Sequence, residues 1–119
     1  METEGDQLAF RQTELSCRSG DHVRLTFRHT GKYISFTHNW VLILPGTYDA
    51  LIKDAADAGE ANGWVPPHDA RVLAATRLCA KGETAVIEFV APAPGDYLYL
   101  CTTPGHGESM WGVLHVTAA

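Results

Sequence analysis

From His22 to Arg28 the chain alternates polar and apolar residues, which places Val23, Leu25 and Phe27 on one face of a half-buried strand. The same period of two returns over Thr84 to Val90, where Ala85, Ile87 and Phe89 oppose Thr84, Val86 and Glu88. Shorter strands are predicted at Leu8 to Phe10 and Glu14 to Cys17, ended by the turn residues Ser19-Gly20-Asp21. Aromatic and β-branched residues from Tyr33 to Leu44 predict one long strand running through His38, closed by Pro45-Gly46. Arg71 to Leu78, Asp96 to Cys101 and Gly112 to Thr117 supply the remaining strands. One stretch breaks this texture. From Thr47 to Asn62 the residues are Ala, Asp, Glu, Lys and Leu, with Leu51, Ile52, Ala55 and Ala56 spaced for one apolar helical face. Asn62-Gly63 ends that helix and Pro66-Pro67 bars its continuation. Seven or eight short strands with regular turns predict an all-β, Greek-key β-sandwich interrupted by a helical flap over 47–67.

Composition narrows the picture. With 119 residues, 45% of them hydrophobic, the chain has enough apolar surface for one core, so 1–119 is read as a single domain. The polar start, residues 1–7, is read as a flexible segment. A formal charge of −5 without any Lys/Arg run counts against a nucleic-acid protein, which would normally show a basic patch for phosphates. No run of eighteen apolar residues occurs, and the start lacks the basic end and apolar middle of a signal peptide. On these grounds the protein is cytosolic, or an export segment or anchor has been removed before Met1. Three cysteines, Cys17, Cys79 and Cys101, allow at most one disulfide.

The chemistry concentrates near the C-terminus. Cys101-Thr102-Thr103-Pro104-Gly105-His106-Gly107-Glu108-Ser109-Met110 sets a thiolate, an imidazole and a thioether between the ends of two predicted strands. A copper ion that changes oxidation state needs donors acceptable to both states, and two imidazoles and a thiolate with a weak axial thioether provide them. His38, in His38-Asn39-Trp40-Val41-Leu42, is the candidate second imidazole. Pro104 and Gly105 let the loop turn tightly enough for its donors to converge. With Cys101 in that role, Cys17 and Cys79 remain as two buried thiols or one disulfide.

The segment from His38 to Leu42, the run from Cys101 to His106 and Met110 together resemble the azurin and auracyanin branch of the cupredoxins. Arg71-Val72-Leu73-Ala74-Ala75-Thr76-Arg77-Leu78, the Gly82-Glu83 turn and Gly112-Val113-Leu114 extend the likeness over roughly Leu8 to Val116. The resemblance implies a Greek-key sandwich with one type-1 copper at one end and a helical flap between strands. By the same resemblance His38, Cys101 and His106 are the equatorial ligands and Met110 the axial one. Thr37 stands where azurins have a glycine whose carbonyl lies on the opposite axis, and Asn39 and Thr102 belong to the hydrogen-bond network that ties the two ligand segments. The function implied is a one-electron carrier between redox protein partners, monomeric and periplasmic or otherwise extracytoplasmic, with His106 at an exposed edge as the electron port. Any membrane association would come only through an anchor outside this chain.

Three departures from the family pattern stand out. Azurins usually pair an N-terminal cysteine with one near the second strand, whereas here no cysteine precedes Cys17, so Cys17 and Cys79 are expected as distant free thiols. Thr103 replaces the aromatic or branched residue common beside the second ligand histidine, which leaves the hydrophobicity of the surface around His106 open. Thr37 carries a side chain where azurins have none. His29 resembles a histidine that azurins hold beside the site without ligation, while His22, His68 and His115 are expected at the surface. Trp40 is expected in the core, and Trp111 either over the axial side or at the surface. Two other function classes compete with this reading. The electron-entry domain of a multicopper enzyme would place a histidine beside the thiolate, where this chain has Thr102, and a copper chaperone or storage protein would favour exposed, exchangeable thiolates over an anchored loop.

Overall fold

The two alternating segments pair with each other. In the computed structural model, which describes residues 1–32 and 36–119, β1 is Glu14–Arg18, β2 His22–Arg28, β3 Val41–Ile43, β4 Val72–Ala75, β5 Thr84–Val90, β6 Gly95–Leu100 and β7 Trp111–Thr117. The helix α1 spans Tyr48–Ala58 and a 3-10 turn follows at Glu60–Asn62. Antiparallel β2 and β5 form a two-stranded sheet, with Leu25 opposite Ile87 and Phe27 opposite Ala85. The other five strands form a second sheet in the order β1-β7-β6-β3-β4, in which β1 runs parallel to β7 and the remaining neighbours are antiparallel. The expected mostly-β architecture with one helix is thus present, with seven strands among the described residues.

The core lies between the sheets. Leu25, Phe27 and Ala85 of the small sheet meet Leu42, Tyr97, Tyr99, Leu114 and Val116 of the large one, with Trp40, just before β3, in the same cluster. Trp40 is fully buried and stacks on Tyr99 at a ring separation of 5.3 Å. Gly112 is required by that packing, because a Cβ there would sit 2.4 Å from the Tyr99 ring. The opposite face of the large sheet is also covered. Val41, Ile43 and Leu100 pack against Leu51 of α1, which explains why β3 is a continuous apolar run rather than an alternating one. Leu51 is fully buried, and truncating such a residue to alanine costs on the order of 2–5 kcal/mol.

Two sequence expectations are corrected. The long strand over Tyr33 to Leu44 reduces to β3, with residues 33–35 outside the described part of the chain. The physical reason is that the backbone before β3 bonds elsewhere: His38 exchanges both its N–H and C=O with Cys79 in an isolated bridge, and the Trp40 N–H is taken by the Thr76 hydroxyl at 2.9 Å. Leu8 to Phe10 likewise forms no strand, only a single bridge from Phe10 to Thr3. The N-terminal segment has anchoring contacts that its polar composition did not suggest. Thr3 is fully buried, its N–H bonds the Arg28 carbonyl at 3.1 Å, and its hydroxyl accepts the Thr30 N–H at 2.8 Å.

Candidate metal centre

Backbone hydrogen bonds fix the donor segments. His38 is clamped to Cys79 by N–H to O and O to N–H bonds of 3.0 and 2.7 Å. Cys101 directly follows β6, and its N–H bonds the Met110 carbonyl at 3.0 Å, so both ends of the loop close on each other at the sheet. Within the loop the His106 N–H bonds the Thr103 carbonyl at 3.0 Å and the His106 carbonyl accepts from Met110 at 2.9 Å. Gly105 takes φ 81°, a left-handed conformation that a side chain would strain. Ile52 of α1 lies against Gly107, where a Cβ would come within 3.2 Å of it, so the helix presses on the loop directly.

These constraints bring three donor atoms together from positions far apart in the chain. His38 Nδ1 and His106 Nδ1 lie 3.1 Å apart, and Cys101 Sγ is 3.8 Å from each. Nitrogen and sulfur donors held at about 2.0–2.3 Å from one common ion in a plane lie about 3.5–3.7 Å from one another, so the triangle suits a single soft or borderline cation. His38 and Cys101 are fully buried, as is Met110, and His106 is 5% exposed. Burial pushes the His38 imidazole down to about 3, with further lowering from His29 and His106, and burial also lowers His106. Burial raises the Cys101 thiol, a shift opposed by hydrogen bonds from the Asn39 backbone and from Thr103. Without a metal the cluster is therefore neutral: two uncharged imidazoles facing a protonated thiol, with His38 Nε2 buried and without a partner among the described residues. A cation entering the triangle takes up the facing lone pairs and displaces the thiol proton.

Around the triangle, side-chain hydrogen bonds tie the two donor segments together. Asn39 Nδ2 donates to Thr102 Oγ1 at 2.8 Å while Asn39 Oδ1 accepts the Thr102 N–H at 2.8 Å, tying the two donor segments reciprocally. Asn39 Nδ2 also donates to the Gly63 carbonyl at 3.1 Å, which holds the end of the helical flap to the site. The Thr37 carbonyl accepts a hydrogen bond from the Thr103 hydroxyl at 3.1 Å.

The sequence profile of the copper binding proteins, plastocyanin/azurin family, matches residues 1–117. This chain belongs to that family. Auracyanin-A of Chloroflexus aurantiacus is 35% identical over 116 residues, covering 96% of this chain and 70% of its own length. Auracyanin-B of the same organism is 42% identical over 115 residues, covering 94% of this chain and 48% of its own length, so the chain spans about half of that relative. The crystal structure of dithionite-reduced auracyanin from Roseiflexus castenholzii superposes with a TM-score of 0.89 at 31% identity, covering 98% of this chain and 93% of the other. The metal of the family is copper, and the His-Cys-His triangle is a donor set that fits it.

Cys17 and Cys79 are both free, with Cys79 beside His38 and Cys17 on β1. His22 and His68 are exposed, and His115 is partly exposed with its ring between Asp96 and Glu14. Trp111 stands at the surface, 47% exposed. His106 is nearly covered, which corrects the expectation of an exposed edge. The cover includes Phe36, whose 49% exposed ring meets His106 edge-on at 5.3 Å. Phe36 thus brings an aromatic ring to His106 where Thr103 brings none, and sequence reasoning missed it because nothing local links positions 36 and 106. His29 stacks on His38 at 4.5 Å; its Nδ1 accepts the Gly31 N–H, which leaves Nε2 as the donor to the Phe36 carbonyl at 2.9 Å.

Proposed function

We propose that this chain is a one-electron carrier built on a single type-1 copper site, with His38, Cys101 and His106 as equatorial ligands and Met110 as the axial one. The observation that carries the reading is the convergence of the three donor atoms, buried, within 3.8 Å of one another. Copper held there supplies the redox change, cycling between Cu(II) and Cu(I). The protein supplies rigidity. Reciprocal bonds between Asn39 and Thr102, and the Cys101–Met110 closure, keep the donors in one arrangement through both oxidation states, so little reorganises when an electron moves. Burial of Cys101 and His38 keeps water from the thiolate. His106, beside the exposed Pro104 and Gly105, is the donor nearest the surface and is the electron port in this reading.

In this reading the Thr37 carbonyl is a further axial candidate. The chain acts as a carrier and not as an enzyme: Thr102, not a histidine, follows Cys101, so no built-in relay leads to a second copper. Residues 1–119 form one cupredoxin domain with the flap at 47–67. Its setting is periplasmic or otherwise extracytoplasmic, its partners are a donor and an acceptor redox protein, and it works as a monomer. Among the described residues no helix is long and apolar enough to cross a membrane. The test is direct. Adding Cu(II) to the metal-free protein should give an intense visible absorption that disappears on reduction and returns on reoxidation. A colourless protein that retains only Cu(I) would overturn the reading.

A further inference from the structure

Along β7 the side chains alternate: Leu114 and Val116 belong to the core between the sheets, so Trp111 and Val113 point to the other face of the large sheet. On that face α1 buries Val41, Ile43 and Leu100. Trp111 lies outside this cover, 47% exposed. Grooves of about 330 and 470 Å³ flank its ring, one bounded by Tyr48, Leu98 and Gly107 and the other by Thr13 and Val113. Carboxylates rim both. Glu108 lines the first and Glu14 the second, and among the described residues no lysine or arginine lines either. Asp49 stands near the first groove as well: burial raises the Tyr48 hydroxyl, and Glu108 and Asp49 raise it further. His115 meets Glu14 at 3.3 Å but also Asp96 at 2.7 Å, so that cluster, two carboxylates to one imidazole, keeps a net negative charge.

We propose that the Trp111 face docks a redox protein whose contact surface is rich in lysine, with the indole as apolar anchor and Glu108, Asp49 and Glu14 as an acidic rim. The inference rests on the carrier reading above and names the chemistry of one of its partners. A tryptophan exposed between two grooves is the residue type that anchors interfaces, and a rim of one sign selects a partner of the other. A second copy of this chain is the wrong occupant, because a two-fold contact would set the acidic rim against itself. The face also adjoins the donors. Trp111 directly follows Met110, whose carbonyl accepts the Cys101 N–H at 3.0 Å, so one peptide unit and one hydrogen bond link the anchor residue to the cysteine.

The probe is a lysine-rich c-type cytochrome in its reduced state, added to the isotope-labelled metal-free protein at low salt and followed by nuclear magnetic resonance. The Trp111 indole N–H and the Gly107 amide should shift saturably, and raising the salt to about 0.3 M should abolish the shifts. Trp111→Ala should weaken binding about tenfold. Should that variant fail to fold, Trp111→Thr lacks the ring equally, is a good strand former and carries the same comparison. Glu14→Lys should weaken binding more than Glu88→Lys, which makes the same change of net charge on the exposed side of β5. With copper loaded, one electron passes from Cu(I) to the ferric haem of the same cytochrome, oxidising the copper and reducing the iron, and Trp111→Ala should slow that transfer. Shifts centred on Phe36 and Gly105, no saturable shift, equal weakening by the two lysine variants, transfer unslowed by Trp111→Ala, or a concentration-dependent dimer that this variant dissolves would each overturn the proposal. Absence of thiolate absorption in the copper-loaded wild type would instead overturn the carrier reading, while the metal-free shifts still report whether the face docks a cationic protein.

Discussion

Two groups of histidines in this molecule use the same side chain in opposite ways. At one site His38 and His106 face Cys101 from within the protein, and burial holds both imidazoles below their ordinary value. Elsewhere His115 of β7 lies between Asp96 at 2.7 Å and Glu14 at 3.3 Å, and hydrogen bonds to those carboxylates raise it. The exposed group resembles a ligand set in composition, yet its two ring nitrogens point to different partners and share no centre. The buried group points three donors at one another and leaves them without carboxylates to satisfy them. A metal site here is therefore a matter of convergence and desolvation rather than of which residues are present.

The sharpest way to break that contrast is at the thiolate. Cys101→Ser should abolish the visible absorption of the copper-loaded protein entirely, whereas Cys17→Ser and Cys79→Ser should keep it; a surviving band in Cys101→Ser would refute the ligand assignment. Next comes the scaffold. Asn39→Ala removes both bonds to Thr102 and the bond to Gly63, leaving buried partners unsatisfied, and should cost about 2–4 kcal/mol in urea unfolding of the metal-free protein. A loss under 1 kcal/mol would mean that the network is replaced by water.

A smaller effect is expected at the axis. Met110→Leu conserves volume, so stability should change by less than about 1.5 kcal/mol, while copper stays bound and the midpoint potential rises because the donor that favours Cu(II) is gone. An unchanged midpoint would remove Met110 from the ligand set. Smallest are the pH effects, and here the two groups should separate by sign. His38 and His106 have folded values below the unfolded one, so the unfolded chain binds more protons in mild acid, and the metal-free protein should lose stability as pH falls from about 6.5 towards 3. His115 has a folded value above the unfolded one. Its contribution is complete below about 6.5 and should fade as pH rises through the raised folded value. Nuclear magnetic resonance titration of His115 in the wild type and in Asp96→Asn tests this, with the variant expected to titrate at lower pH.

Much of the fold was legible because strand alternation is a local property. Thr84–Val90 and His22–Arg28 each announce an inner and an outer face, and the structure pairs them with those faces inward. The loop from Cys101 to Met110 was equally legible, since its donors are close in sequence and its ends are strands. The segment before β3 was not. Its apolar and aromatic residues suit a strand, but His38, Asn39 and Trp40 spend their hydrogen bonds on Cys79, Thr102, Gly63 and Thr76, all distant in sequence. Phe36 over His106 and Thr103 on Thr37 were hidden for the same reason.

The sequence by itself determined the donor types, their spacing in the loop, the alternating strands and the family, because all of these are carried by residue identity and near-neighbour order. Only the tertiary structure decided that His38 meets His106 across 68 positions and that both are buried, that the cysteines stay free, and that a threonine hydroxyl holds the carbonyl beside the site. Convergence and desolvation belong to the packed chain: each depends on which distant segments exclude water from one another, and no local pattern encodes that.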